Sequence, residues 1–229
     1  MKLLQFGSLK FLTRPGTSDE KNLEEVILKK CYQRKAFKVE PLEHWADLGG
    51  YIGAFGIWAA SQGAYVTAFE PFPASFQLYQ ENIKLNGLEK LIKVHRKAVV
   101  GGSNTRAQLK ISGTGNYWRN SLLKTPAQAG TINVECIPFE DAIEGADCCK
   151  MDIEGEEFRI LERIERVGKF KKFVYEHSFD IESSLDIYRV YIRELKVMFR
   201  EVYFKKVPEN VASWKSSWFP PCANIFCLK

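Results

Sequence analysis

Two short stretches of this chain carry side chains able to move protons. KMDIEGEE (Lys150 to Glu157) brings Asp152, Glu154 and Glu157 within six residues, and Glu176 and His177 stand side by side further on. Histidine has an intrinsic pKa close to neutrality, so His177 is the candidate general base for a hydroxyl that is otherwise a poor nucleophile. Asp152 is a candidate to orient that imidazole or to hold the hydroxyl itself, and Glu176 is the third candidate catalytic group. Carboxylates also bind hard divalent cations through oxygen, so Asp152, Glu154 and Glu176 form a candidate Mg²⁺ set. The plainer alternatives are a helix-entry role for His177 and first-turn helix charges for Glu154 and Glu157. His44 and His95 read as structural.

A second kind of chemistry belongs to DLGGYIGAFG, Asp47 to Gly56. Glycines directly after a strand and before a helix let the backbone turn sharply and approach a ligand closely. Glu70 ends the next strand, 23 residues beyond Asp47. An acidic group there can accept hydrogen bonds from both hydroxyls of a ribose, and Pro71 and Phe72 can wall an adenine. The spacing is not the GxGxxG of NAD-binding folds, and the chain is too short for a separate substrate domain. A sulfonium and ammonium ligand suits an acidic loop better than a pyrophosphate does. Asp47, Gly49, Gly50, Tyr51, Gly53, Glu70, Pro71, Phe72 and Asp152 are therefore candidate contacts for S-adenosylmethionine.

The elements that must position these groups alternate. Thr17 and Glu20 make a capping box for a helix from about Asp19 to Cys31. HWADL, YVTAF and LIKVH read as strands separated by helices, the second helix starting near Ala74 and stopping at Asn86-Gly87. QLKIS and TINVECI interrupt this order as two strands around a polar loop. DCCKM, a helix over Glu156 to Arg166 and KFVYE resume it. An amphipathic helix follows with Leu185, Tyr188, Ile192, Leu195 and Phe199 inward. EVYFKKV and ANIFCLK close the chain as an antiparallel pair. The order predicts an α/β, Rossmann-like fold: a mostly parallel sheet, helices on both faces and one antiparallel strand near the C-terminal edge.

These motifs together resemble the FkbM-like S-adenosylmethionine-dependent methyltransferases. RPGTSDE (Arg14 to Glu20) is similar to that family's N-terminal segment, DLGGYIG to its DxGANxG loop and AFEP to its second-strand motif. ENIKLNG resembles the helix that follows, KMDIEGEE the KxDxEGxE motif and VYEHS the fifth-strand ending. Tyr51 departs from the pattern, standing where the family usually has Asn. The resemblance implies a class I methyltransferase fold and O-methylation of sugars or secondary metabolites. It also puts Ala98, just past the third strand, on the cofactor side.

On the substrate side, GTGNYWRNSLLK offers Asn116 and Trp118, and SWKSSWFPPC offers Trp214 and Trp218. With Glu154 these are candidate contacts to a sugar, whose C–H face suits aromatic rings and whose hydroxyls suit amides and charges. The expected acceptor is a sugar hydroxyl, a deoxyhexose of a glycan or glycolipid first. A non-sugar metabolite, a nucleic acid and an inactive cofactor-binding module are the alternatives. Nucleic acid is disfavoured because the Asn/Asp-Pro-Pro-aromatic motif of base methylation is missing after the fourth strand. The charge of +5 and the stripe Arg189, Arg193, Lys196, Arg200 argue only weakly for a polyanion. Six cysteines without a CxxC pair fit reduced thiols in a cytoplasmic protein. No apolar run reaches the roughly 20 residues a bilayer needs, and no signal peptide is apparent. The expected organisation is a single domain over residues 1–229 with a helical N-terminal extension to about residue 43, standing alone or as part of a larger glycan-synthesis protein.

Overall fold

The computed structural model describes every residue except 35–36, 114, 124–127, 179–183 and 206–221, and leaves undescribed the side chains at 118, 178, 184–186, 188, 204–205 and 222–223. Trp214 and Trp218 lie outside the described residues, as does the Trp118 side chain.

The central sheet follows the alternation in the sequence. Its strands are β3 (His44–Leu48), β4 (Tyr65–Phe69), β5 (Ile92–His95), β9 (Cys148–Met151), β10 (Lys172–Ser178), β11 (Glu201–Lys205) and β12 (Cys222–Leu228). They stand in the order β11-β12-β10-β9-β3-β4-β5. β12 runs antiparallel to both neighbours, and the five strands from β10 to β5 are mutually parallel. The chain leaves β3 toward β5 and returns to β9 on the other side of β3. The switch point therefore lies between the carboxyl ends of β3 and β9, where open α/β sheets bind ligands.

Side chains alternate across the sheet. Trp45, Cys148 and Val174 pack on one face beside Phe55, Ile57, Tyr79 and Ile83, from α2 (Ala54–Ser61) and α3 (Pro73–Leu85). Ala46, Cys149, Met151, Phe173 and Tyr175 pack on the other, beside α5 (Glu157–Leu161) and α6 (Ser184–Met198). The helix expected from Glu156 to Arg166 breaks into α5 and a 3-10 segment, Ile164–Lys169. A three-stranded insertion, β6 (Ala98–Val100), β7 (Arg106–Ser112) and β8 (Gln128–Pro138), sits between β5 and β9 in sequence with β8 central.

The N-terminal segment corrects the expected helical extension. It opens with a β-hairpin, β1 (Lys2–Phe6) and β2 (Leu9–Thr13), joined by Gly7-Ser8 with Gly7 at φ 63°. A two-residue loop of this kind matches the right-handed twist of a hairpin. Asn82 of α3 and Asn86, which caps its C-terminus, bind the hairpin edge: the Leu12 and Lys10 amides donate to their side-chain oxygens at 2.7 and 2.9 Å. Helix α1 is short (Asp19–Leu23) and continues as a π-helical turn, Glu24–Leu28. The capping box does not form. Glu20 instead accepts from Lys2, and Asp19 is turned into the protein. Among the described residues no helix is long and apolar enough to cross a membrane.

Candidate active site

The glycine loop between β3 and α2 is held from three sides. The Gly49 and Gly50 amides both donate to the Phe69 carbonyl, at 3.0 and 2.9 Å, pinning the loop to the end of β4. The Asp152 amide donates to Leu48 across the switch point. Gly49 and Gly53 adopt φ 78° and 92°, a region costly for residues with a Cβ. A Cβ on Gly49 would stand 1.8 Å from the Asp152 carbonyl oxygen, and one on Gly53 2.2 Å from the Tyr79 ring. Only glycine fits either place.

Beneath the loop lies a charge that the motif reading left without a role. Lys150 is buried on the same sheet face as Asp47, 3.2 Å from its carboxylate. Its ammonium donates to the Gly49 carbonyl at 2.7 Å and the Leu48 carbonyl at 3.3 Å. Burial works against the lysine's charge, but Asp47 and Asp152 hold its pKa above the ordinary value. Burial also pushes the Asp47 carboxyl upward against the pull of Lys150. The charged form of the lysine is favoured by its three oxygen partners, which a neutral amine would not hold as well. The visible sign in the sequence was one lysine inside the apolar strand CCKM.

Glu70 is buried at the end of β4. One carboxylate oxygen accepts from the Tyr51 amide at 2.9 Å, the other from the Phe72 amide at 2.8 Å. Burial pushes its pKa up to about 7, although both amides favour the anion. An ionised carboxylate has about four acceptor positions, so two backbone bonds leave room for a vicinal diol. Pro71 and Phe72 follow at the rim, half-buried, and the Phe72 ring lies 5.3 Å from Tyr117 of the insertion. Asn116 opens the short turn that carries Tyr117. Ala98 is buried in β6, paired with Cys136 of β8 and packed in the insertion's own core. Its expected cofactor-side place is therefore inside a strand pair.

Across the switch point the chain turns acidic. The Asp152 carboxylate accepts from the Tyr32 hydroxyl at 2.6 Å. Tyr32 is buried, and its phenol is pushed upward by burial and by Asp152, so it remains a donor. Glu154 sits at φ 56°, a left-handed backbone unusual for a residue with a Cβ, and its carbonyl accepts from the Ser121 hydroxyl. Burial, then Asp152, Glu176 and Glu157, drives its carboxyl well above the usual carboxylate range. Glu157 turns inward and accepts from the Ile153 and Gly155 amides at 2.5 and 2.6 Å, bracing the turn. Its own pKa is pushed up to about 7 by burial.

The expectation for His177 is corrected. Glu176 and His177 are neighbours on β10 and so point to opposite faces. Glu176 shares the face of Lys150 and Tyr32. His177 is 1% exposed among the rings of Phe158, Tyr175 and Tyr191, at 5.2, 6.0 and 6.4 Å between centroids. Asp152 does not orient it, because Asp152 bonds Tyr32 on the other face. Asp152 and Glu176 thus lie on the side from which their charges act on Glu154, and His177 lies in the core. Among the described residues no three His, Cys, Asp or Glu side chains converge closely enough to hold a metal ion. The carboxylates are therefore not read as a magnesium site.

A family model described as a methyltransferase FkbM domain matches residues 47–201. No curated protein matches the chain by sequence. Among solved structures, methyltransferase FkbM from Methylobacillus flagellatus KT is similar at TM-score 0.52 and 15% identity, over 86% of this chain and 47% of that one. Precorrin-6y C5,15-methyltransferase from Geobacter metallireducens GS-15 is similar at TM-score 0.51 and 13% identity, over 98% and 100%. At such identities the likeness is one of fold. This chain spans about half the length of the first of these two.

Proposed function

Because the chain belongs to the methyltransferase FkbM domain family, we propose that it is an S-adenosylmethionine-dependent O-methyltransferase acting on a sugar hydroxyl, a deoxyhexose of a glycan or glycolipid first. The observation that carries the reading is Asp152, which accepts from Tyr32 and stands across the switch point from the glycine loop, its amide reaching the Leu48 carbonyl. The cofactor fits the residues present. Glu70 would take the ribose hydroxyls, Phe72 would lie against the adenine, and the loop over Lys150 would receive the methionyl end. When bound, the cofactor supplies an electrophilic methyl on a sulfonium.

The chain's own residues then have two tasks. One is to line up the acceptor oxygen with that methyl, since an in-line displacement gains most from alignment. Asp152, which accepts from Tyr32, and Glu176 would hold neighbouring hydroxyls of a polyol. The other is to take the hydroxyl's proton. Glu154 suits this better than a carboxylate of ordinary acidity, because burial and like charges raise its basicity. His177 has no part in the proposal. Unpaired thiols at Cys31, Cys136, Cys148, Cys149 and Cys227 support a reducing, cytoplasmic setting.

The test is a screen with labelled methyl donor against sugar nucleotides, short glycans, bulk RNA and bulk DNA, with and without EDTA. The expected result is transfer to a glycan that EDTA leaves intact. Transfer to RNA or DNA with none to any glycan would overturn the acceptor class.

A further inference from the structure

We infer that Arg14 and Asp19 are positioning residues of the cofactor site, forming a clasp that ties the N-terminal segment to Tyr51 of the glycine loop and to the aromatic wall at Phe72. The inference rests on reading that loop as the cofactor loop. Asp19 is fully buried, and its carboxylate accepts four hydrogen bonds. The Arg14 amide and Nε donate to Oδ2 at 2.8 and 2.9 Å. Arg14 Nη2 and the Tyr51 hydroxyl donate to Oδ1 at 2.8 and 2.5 Å. Burial alone would push this carboxyl upward, but the bonds from Arg14 and Tyr51 outweigh it and hold it below its ordinary value. Four charge-assisted bonds fill the lone-pair sites of a carboxylate, so the geometry is tightly determined.

Each partner leads to the site. Tyr51 carries φ 51°, a strained position for a residue with a Cβ, and its amide is the one that donates to Glu70. The clasp therefore holds the side chain of the residue whose backbone fixes the ribose acceptor. Arg14 also donates from Nη2 to Ser75 in the first turn of α3. Its guanidinium lies 5.5 Å from the Tyr51 ring centroid and 4.9 Å from that of Tyr117, which packs against Phe72. Next to Asp19, the Ser18 hydroxyl meets the Tyr51 hydroxyl at 3.1 Å, and the Ser18 amide donates to Gly115 of the insertion. One ion pair thus joins the glycine loop, the entry to α3 and the insertion. Its position explains how tyrosine serves at residue 51: the hydroxyl reaches Asp19.

The experiment is calorimetric titration with S-adenosylhomocysteine, with melting temperatures taken in parallel. Asp19→Asn should weaken binding about 10–100-fold, as expected for loss of charge-assisted bonds. Tyr51→Phe, which removes a single hydroxyl and keeps the ring, should weaken it about 3–10-fold. The double variant should bind no worse than Asp19→Asn, because both changes cut one link. Asn86→Ala releases the hairpin edge at Lys10, leaves Asn82 on Leu12 and does not touch the clasp. It should lower the melting temperature and leave affinity unchanged. Wild-type affinity in both Tyr51→Phe and Asp19→Asn overturns the inference, as does affinity that falls in step with melting temperature in Asn86→Ala. A folded wild-type chain that takes up no S-adenosylhomocysteine overturns the cofactor reading itself, and the clasp with it.

Discussion

The glycine loop and the acidic turn face one another across the switch point, yet they are held by opposite means. Leu48 to Gly53 is tied by backbone bonds to Phe69 and by a buried lysine that satisfies its carbonyls. Asp152 to Gly155 is built of carboxylates that raise one another's proton affinity, braced by Glu157 from below. The first arrangement is over-determined and suits recognition of one fixed ligand. The second keeps a half-buried acid more basic than an ordinary carboxylate, which suits proton transfer and makes it sensitive to small changes in charge.

The largest expected effect breaks the rigid side. Lys150→Met leaves Asp47 buried without its cation and strips the Gly49 carbonyl of the lysine donor, while the Leu48 carbonyl keeps the Asp152 amide. A loss of about 3–5 kcal/mol of folding stability should follow, read by chemical denaturation. A loss below 1 kcal/mol would mean that Asp47 is neutral and the loop holds itself.

On the reactive side, Glu154→Gln keeps shape and removes the base. Turnover on the acceptor found by the screen should fall roughly 10²–10⁴-fold, with S-adenosylhomocysteine affinity little changed. Near-normal turnover would pass the proton to Asp152 or Glu176.

A smaller effect separates the two regions by pH. The ribose hydroxyls would donate to ionised Glu70, whose pKa stands near 7 before binding. Affinity should be level above that value and fall as pH drops through it, by about tenfold per unit well below it. Calorimetry from pH 8 to pH 5 reads this directly, and a flat profile would remove Glu70 from the ribose. Smallest of all should be the change in turnover on His177→Phe, since that ring packs among aromatic groups on the far face. A large drop there would return His177 to the chemistry.

The parallel sheet was legible because its strands are short, apolar and separated by helical periodicity. The loop and strand end proposed for the cofactor were legible because a glycine turn and an acidic strand end sit at fixed places in such a fold. Other features had signals that went unused. Gly7-Ser8 between two alternating runs marks the hairpin, and the lone lysine of CCKM marks the buried ion pair.

Some things follow from local sequence alone: the order of elements, the glycine turn after HWADL, and the opposite facing of Glu176 and His177, since strand residues alternate. Which of those two faces lies with Asp152 was decided only by tertiary structure. It depends on Tyr32 arriving from 120 residues away to bond Asp152, while α5 and α6 close over His177. Tertiary contact also decided the partner of Asp19. A helix-cap reading assigns that region to local bonds, but a buried carboxylate takes whichever donors replace its lost water, and the packed fold supplies Arg14 and Tyr51.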